Sequence, residues 1–366
     1  MNATTRLHEL GQSLWLDNIT RDLLSSGILQ RYCAEFSVTG LTSNPTIFDE
    51  AIRNSKAYDD ALHRKGKQGK VGEQLFFELA LEDLTQAAAL FRPVHEATDG
   101  VDGWVSLEVS PLLANDAGAT VEAAKRLHAQ ANCSNLFIKI PGTPSGVEAI
   151  EESIFAGVPV NVTLLFSREH YIAAADAYSR GIQRRINAGL DPKIASVASI
   201  FVSRWDKAVM DKVAPALRNR LGIAISGQIY KAYRKQLASP GWRKLADAGA
   251  LSQRLLWAST GTKDPQLPQS YYVEALAAPD TINTMPEKTL GAFAANGTLR
   301  GPMQEDGGDC ETVLADFAKA GVDTDALAAQ LQLEGAQSFT KSWNDLMAVI
   351  ASKSEQLHRS PASARG

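Results

Sequence analysis

Short apolar runs alternate with longer stretches of helical period along almost the whole chain, and this alternation constrains the fold more than any other feature. Eight runs read as strands: Ser13–Asp17, Phe36–Asn44, Trp104–Val109, Asn135–Pro141, Val158–Thr163, Ala195–Val202, Arg254–Ser259 and Tyr272–Ala277. Most are followed by a helical pattern. In Arg168–Gly189, Ile172, Ala175, Ile182 and Ile186 fall near one face, and Gly189 is a C-terminal stop. Ser145–Glu148 spells S-x-x-E ahead of Ile150 and Ile154, a capping-box start, and Gly157 ends that helix. Strand–helix alternation implies a parallel sheet buried on both faces. Eight units suggest an α/β fold closed into a (β/α)8 TIM barrel. A doubly wound open sheet is the alternative, but it usually carries a Gly-rich turn after its first strand. Here Asn18-Ile19-Thr20 follows that strand, and no G-x-x-x-x-G-K-[ST] loop occurs in the chain.

Two regions exceed the eight-unit count. Residues 49–99 are about twice as long as a usual connection, and Gly72–Thr98 is helical by period, with Leu75, Leu79, Ala87 and Phe91 among its apolar positions. Helical insertions on the barrel are expected there. Past the eighth run, Lys288–Leu357 holds a Gly-rich turn (Gly301–Gly308) and then Ala-rich helical sequence, expected to pack on the barrel as a C-terminal extension. A polar tail is expected over 358–366. No interdomain linker is readable, so one domain over 1–366 is expected.

Composition narrows the function classes. With 366 residues, 45% of them hydrophobic, the chain can bury a large core. The balance of 37 Lys and Arg against 41 Asp and Glu gives −4, which argues against nucleic acid as a partner and leaves room for a local basic pocket. Cys33, Cys133 and Cys310 show neither a disulfide framework nor zinc spacing, as expected in a reducing compartment. The first residues lack an apolar signal region, and no apolar stretch approaches the roughly 18 residues of a membrane span. A cytoplasmic protein with no membrane partner is expected.

Side chains alternate across a strand with period two, so the informative residues are polar ones within apolar runs. The first strand gives Asp17, opposite in parity to Leu14 and Leu16. The second gives Thr42 and Asn44, the third Ser106 and Glu108, the fourth Lys139 between Ile138 and Ile140. The fifth gives Asn161 and Thr163, the sixth Ser199, and the seventh Ser259, whose parity Trp257 shares against Leu256 and Ala258. All are expected to face the barrel interior near the C-terminal strand ends, where active sites of this fold sit. A lone Ser or Thr there can simply end its strand in solvent. A charge between aliphatic neighbours is rarely buried unless paired or functional. Lys139, Glu108 and Asp17 can form a structural ion-pair cluster, or they can do chemistry. Burial disfavours a charged lysine, and a neutral amine can attack a carbonyl to form a Schiff base. The protonated imine then draws electrons from a neighbouring carbon–carbon bond. Asp17 and Glu108 supply carboxylates for proton transfer, Thr163 can hold a water beside Glu108, and Asn44 and Asn161 can bond a polyol. The set looks like a lysine-dependent aldolase.

The runs LTSNPTIF (41–48), VSLEVSP (105–111), LFIKIPGT (136–143), NVTLLFS (161–167) and SIFVSRWD (199–206) resemble the transaldolase family in order and spacing over Ser13–Pro286. The wording is similar to a longer bacterial branch. The resemblance implies a class I aldolase-type barrel of the pentose phosphate pathway. Such an enzyme moves a dihydroxyacetone unit from sedoheptulose 7-phosphate to glyceraldehyde 3-phosphate, giving erythrose 4-phosphate and fructose 6-phosphate. It implies no metal or organic cofactor, sugar phosphates as partners, and a monomer or homodimer. By the same resemblance Lys139 is the Schiff-base lysine, Glu108 and Thr163 position the catalytic water, and Asp17 is the acid/base at the hydroxyl. Asn44, Thr42, Asn161 and Ser199 surround the dihydroxyacetone unit, and Arg204 binds phosphate. One departure is visible in WASTGTKDP (257–265). Ser259 matches the family, but the second phosphate-binding arginine is missing, and Lys263 is the nearest cation able to take its place.

Three other readings compete. A sibling aldolase that cleaves fructose 6-phosphate without transfer is typically shorter and lacks the equivalent of Glu108. A metal-dependent aldolase or isomerase needs ligands at strand ends. Yet His8, His63, His95, His128, His170 and His358 all lie off the expected strands. A non-catalytic barrel would not require Lys139, Glu108 and Asp17 together.

Overall fold

Val-, Ile- and Leu-rich runs satisfy their backbone groups by lateral pairing, and runs apolar on both faces pair inside the protein. The computed structural model describes residues 2–359, and eight strands do this. They are β1 (Gln12–Asp17), β2 (Val38–Thr42), β3 (Val105–Glu108), β4 (Leu136–Pro141), β5 (Val160–Leu165), β6 (Ser196–Phe201), β7 (Arg254–Ala258) and β8 (Thr281–Met285). Every laddered pair is parallel, in the order β2-β1-β8-β7-β6-β5-β4-β3. The two ends of that order meet. The Leu41 N–H donates to the Trp104 carbonyl at 3.0 Å, and Ser43 Oγ donates to the Ser106 carbonyl at 2.7 Å. With helices between successive strands, the sheet is the (β/α)8 barrel that the alternation implied.

The seam between β2 and β3 needs Gly40. Its register partner on β1 is Trp15, whose indole fills the barrel interior. A Cβ on Gly40 would lie 2.6 Å from the Trp104 carbonyl oxygen and 2.7 Å from Trp15 Nε1. Below this level the N-terminal end of the barrel is closed by polar groups that satisfy one another. Arg254 donates to Ser13 Oγ at 2.7 Å and to the Thr281 carbonyl at 2.9 Å. Ser13 donates to Asp102, which also accepts from Trp15 Nε1 at 2.8 Å.

The first seven expected strands form; β1 begins one residue earlier at Gln12, β5 starts two residues later and runs on to Leu165, and the others are trimmed by one or more residues. The eighth does not. Tyr272–Ala277 was expected as a strand, but Tyr271–Ala275 is a short helix and β8 is Thr281–Met285. The misreading has a physical cause. A short apolar run does not distinguish strand from helix, and Glu274, Ala275 and Leu276 favour helix. The true strand hides its β character behind polar groups with internal partners. Thr281 accepts from Gln12 Nε2 at 2.7 Å, and Asn283 Oδ1 accepts from Thr260 at 3.0 Å.

The long 49–99 region is helical, as expected, in Pro45–Asn54, Asp59–Lys67 and Gly72–Ala97. The last packs against β2 and β3 and so serves as the barrel's own connecting helix. The C-terminal extension ends in a helix over Thr324–Arg359 that packs on all three of these helices and touches β5. Trp343 fixes it there, with its ring centroid 5.1 Å from Phe76 and 5.6 Å from Phe77, and Nε1 donating to Glu73 at 3.0 Å. The polar tail expected over 358–366 lies outside the described residues, apart from the helical backbone of 358–359. None of the described helices is long and apolar enough to cross a membrane.

Overpacking a filled site typically costs about 1–3 kcal/mol. Gly40→Ala is expected to destabilise the fold by that amount, read as a lower midpoint of urea unfolding. An unchanged midpoint would mean that the seam has slack.

Candidate active site

At the C-terminal ends of the strands the interior opens into a cavity of about 160 Å³. Asp17, Thr42, Asn44, Lys139, Thr163 and Ser199 line it, with Arg204, Ser259 and Lys263 at the same mouth. Residues far apart in sequence converge because they sit at or just past the tops of five strands, β1, β2, β4, β5 and β6, with Ser259 and Lys263 after β7. Lys139 is only 5% exposed. Its Nζ donates to the Ser43 carbonyl at 2.9 Å and stands 3.2 Å from Glu108 Oε2. Parallel register sets this pairing, since Glu108 aligns with Lys139 and Lys139 with Asn161.

Glu108 is buried and Asp17 is half-buried at the cavity wall. Burial pushes the Glu108 carboxyl up from its ordinary value; Lys139 opposes the shift and the negative charge of Asp17 adds to it. Burial also pushes Asp17 up, against the pull of Lys139, the Thr42 hydrogen bond and Lys263. Thr42 Oγ1 donates to Asp17 Oδ1 at 2.8 Å and lies 2.7 Å from Thr284 Oγ1. A threonine hydroxyl has one proton, so when Thr42 gives it to the carboxylate, Thr284 donates to Thr42. Thr163 Oγ1 is buried with no hydrogen-bond partner among the described residues. Such an atom is costly to leave unpaired and marks a place for a water or substrate group.

The other expected residues divide. Asn44 caps the helix Pro45–Asn54, its Oδ1 accepting from the Ile47 N–H at 3.1 Å, which leaves its amide NH2 for the cavity. Asn161 is fully buried, and the cavity-lining set does not include it. It accepts from Ser199 Oγ at 2.7 Å and donates to Ser106 at 3.2 Å, and so anchors Ser199. Arg204 stacks on Phe201 with its guanidinium carbon 4.9 Å from the ring centroid. Burial pushes its guanidinium down, with Glu334 acting the other way. Lys263 is pushed down by desolvation and by the positive charges of Lys207 and Arg204, a grouping of cations suited to an anion.

The parity expected for β7 is corrected. Ser199 pairs with Leu256 and Phe201 with Ala258, and all four line the cavity. Trp257 is fully buried on the opposite face and does not line the cavity. Ser259 still reaches the cavity because its φ of +55° breaks the strand alternation. All six histidines fall in helices. Among the described residues no group of His, Cys, Asp and Glu is placed to hold a metal. Burial pushes the Cys33 thiol up to about 11, which makes it a poor nucleophile.

A family model described as transaldolase/fructose-6-phosphate aldolase matches residues 14–350. The chain belongs to the transaldolase/fructose-6-phosphate aldolase family. A transaldolase of Frankia alni is 44% identical over 369 residues, covering 98% of each chain. One of Thermobifida fusca is 43% identical over 355 residues, covering 94% of this chain and 96% of its own. One of Thiobacillus denitrificans is 42% identical over 358 residues, covering 96% of this chain and all of its own. The family match runs past the recognisable motifs into the C-terminal helix. That helix, expected only to pack on the barrel, lays Phe339 into the cavity. Phe201 and Thr284 also line the site without having been singled out. Phe201 was readable, since it shares the parity of Ser199. Thr284 sits on the unrecognised strand, and Phe339 is one apolar helix residue among many.

Replacing Thr42 by Val keeps the shape and removes a hydroxyl whose hydrogen bond favours the ionised form of Asp17. The Asp17 carboxyl is therefore expected to titrate at higher pH in Thr42→Val than in the wild type, and Thr42→Ser to restore it. Carbon-13 NMR of labelled aspartate reads the shift; a titration unmoved in the Val variant would remove Thr42 from the account.

Proposed function

We propose that the protein is a transaldolase. It transfers a dihydroxyacetone unit from sedoheptulose 7-phosphate to glyceraldehyde 3-phosphate through a Schiff base on Lys139. The observation that carries this reading is Lys139 itself. A primary amine sits in an apolar barrel wall, opens into a cavity lined by Asp17 and several hydroxyls, and has Glu108 3.2 Å away.

Lys139 Nζ attacks C2 of the ketose, and the carbinolamine loses water to give the imine. Glu108 is the nearest base to the amine, and its raised carboxyl affinity for a proton suits it to that exchange. Thr163, with its buried hydroxyl unspent, shares the water with Glu108. Asp17 takes the C4 hydroxyl proton as the C3–C4 bond breaks, and the electrons pass into the imine to form an enamine. The aldehyde leaves, a second aldehyde enters, and the steps reverse. Asn44 and Ser199 bond the hydroxyls of the bound unit, with Asn161 behind Ser199. Arg204 grips the phosphate, and Lys263 takes the role of a second cation as a point charge. These steps use only the chain's own groups, without metal or organic cofactor. The same reading takes 1–366 as one catalytic domain, a cytoplasmic monomer or homodimer of the pentose phosphate pathway.

Borohydride added with fructose 6-phosphate is expected to fix a reduced dihydroxyacetone adduct on Lys139, located by peptide mass mapping and absent from Lys139→Ala. No adduct on folded protein across several ketose phosphates would end the reading. A coupled assay with erythrose 4-phosphate then separates transfer from cleavage. Hydrogen bonds to charged groups contribute about 1.5–3 kcal/mol. Arg204→Ala is expected to lower kcat/KM for phosphorylated donors by that energy, mostly through KM, and Lys263→Ala by less, because Lys263 is exposed. Equal losses in the two variants would show that the exposed lysine carries the phosphate as much as the arginine does.

A further inference from the structure

The C-terminal helix Thr324–Arg359 does more than pack on the barrel. Gln332 Nε2, nearly buried, donates at 3.0 Å to two carbonyls at the strand tops, those of Gly142 and Leu164. These close the ends of the strands that carry Lys139 and Thr163. Leu164 is itself in the left-handed region, at φ +59°, which a leucine adopts only when its surroundings hold it there. One turn on, Gly335 lets the helix approach, since a Cβ there would lie 2.8 Å from Leu164 Cδ2 and 3.2 Å from Arg204 Nη1. A further turn brings Phe339 to the cavity, with its ring centroid 6.0 Å from Lys139 Nζ and 6.5 Å from the Phe201 ring. The helix therefore grips the strand tops at one point and presents an aromatic ring over the amine at another.

We propose that Phe339 is a specificity-determining residue that shields the Lys139-bound intermediate from water, so that transfer to an aldehyde outruns release of dihydroxyacetone. This rests on the Schiff-base reading above. Release and transfer compete for one enamine. In release, a proton adds to the enamine carbon, water adds to the resulting imine carbon, and the carbon–nitrogen bond breaks. Free dihydroxyacetone and the Lys139 amine result, with one water consumed. In transfer, the same carbon attacks the acceptor aldehyde, the new ketose imine takes up one water, and the carbon–nitrogen bond breaks to free the product and the Lys139 amine. Both routes end by hydrolysis of an imine with the water beside Glu108 and Thr163, so the ring acts on the step that release alone requires: an apolar ring over the enamine lowers the access of the water that would protonate its carbon and leaves that carbon to the acceptor aldehyde. Gln332 and Gly335 act as positioning residues for the ring.

The test measures two rates with fructose 6-phosphate as donor: dihydroxyacetone released without acceptor, and transfer to erythrose 4-phosphate. Phe339→Ala is expected to raise the ratio of release to transfer roughly tenfold, the effect of about 1.4 kcal/mol of differential barrier. Borohydride is also expected to reduce its Lys139 adduct faster than that of the wild type. Phe339→Leu, which keeps part of the apolar volume, is expected to give an intermediate ratio, and it reads the same quantity should the alanine variant not fold. Release and transfer falling in parallel, with an unchanged ratio, would overturn the inference and leave Phe339 a packing residue. A wild type that traps no adduct at all would instead overturn the Schiff-base reading beneath it.

Discussion

A parallel sheet with covered faces must do something with its two edge strands, because each presents unpaired N–H and C=O groups. Here β2 and β3 meet, and the seam between them is thin: one backbone hydrogen bond from Leu41 to Trp104, and the Ser43 hydroxyl on the Ser106 carbonyl. Closure fits only because Gly40 leaves room for Trp15 and for the Trp104 carbonyl. The same Ser43 gives its own carbonyl to Lys139. The residue that closes the barrel thus also fixes the position of the amine, so barrel closure and site geometry depend on one short segment.

The two ends of the barrel are polar for opposite reasons. At the N-terminal end Arg254, Ser13, Asp102 and Trp15 satisfy one another. At the C-terminal end the bookkeeping of donors and acceptors does not close. Thr163 Oγ1 has no partner among the described residues, Glu108 and Asp17 are carboxylates held above their ordinary values by burial, and Arg204 stacks beside a cavity. Ionising a carboxyl whose folded-state value is raised disfavours the fold as pH rises through that value. Asp17 and Glu108 are therefore expected to be retained for chemistry at some cost in stability.

Much of this was legible in residue order alone. Lys139 between Ile138 and Ile140, Glu108 between Leu107 and Val109, and Asp17 after Leu16 stand out because a charge in an apolar strand needs a reason. Asn161 stood out equally, but its amide turned inward to Ser199 and Ser106, a distinction between layers of one interior that period-two reading does not make. Ser259 was placed at the cavity for the wrong geometric reason, since its left-handed backbone, and not strand parity, aims it. The eighth strand was missed because its threonines and asparagine look like a loop until Gln12 and Thr260 are seen bonding them.

The sequence by itself determined the periodicities, and hence the alternating elements, the closed parallel class and the identity of the charged residues on the strands. These are local properties, fixed by the two-residue repeat of a strand and the 3.6-residue repeat of a helix. Only the tertiary structure decided which long-range neighbours those residues meet: Lys139 with Ser43, Thr42 with Thr284, and Phe339 over the amine from 200 positions downstream. No local repeat encodes such contacts. They follow from strand register, from the room left by Gly40 and Gly335, and from where the packing of Trp343 lays the last helix.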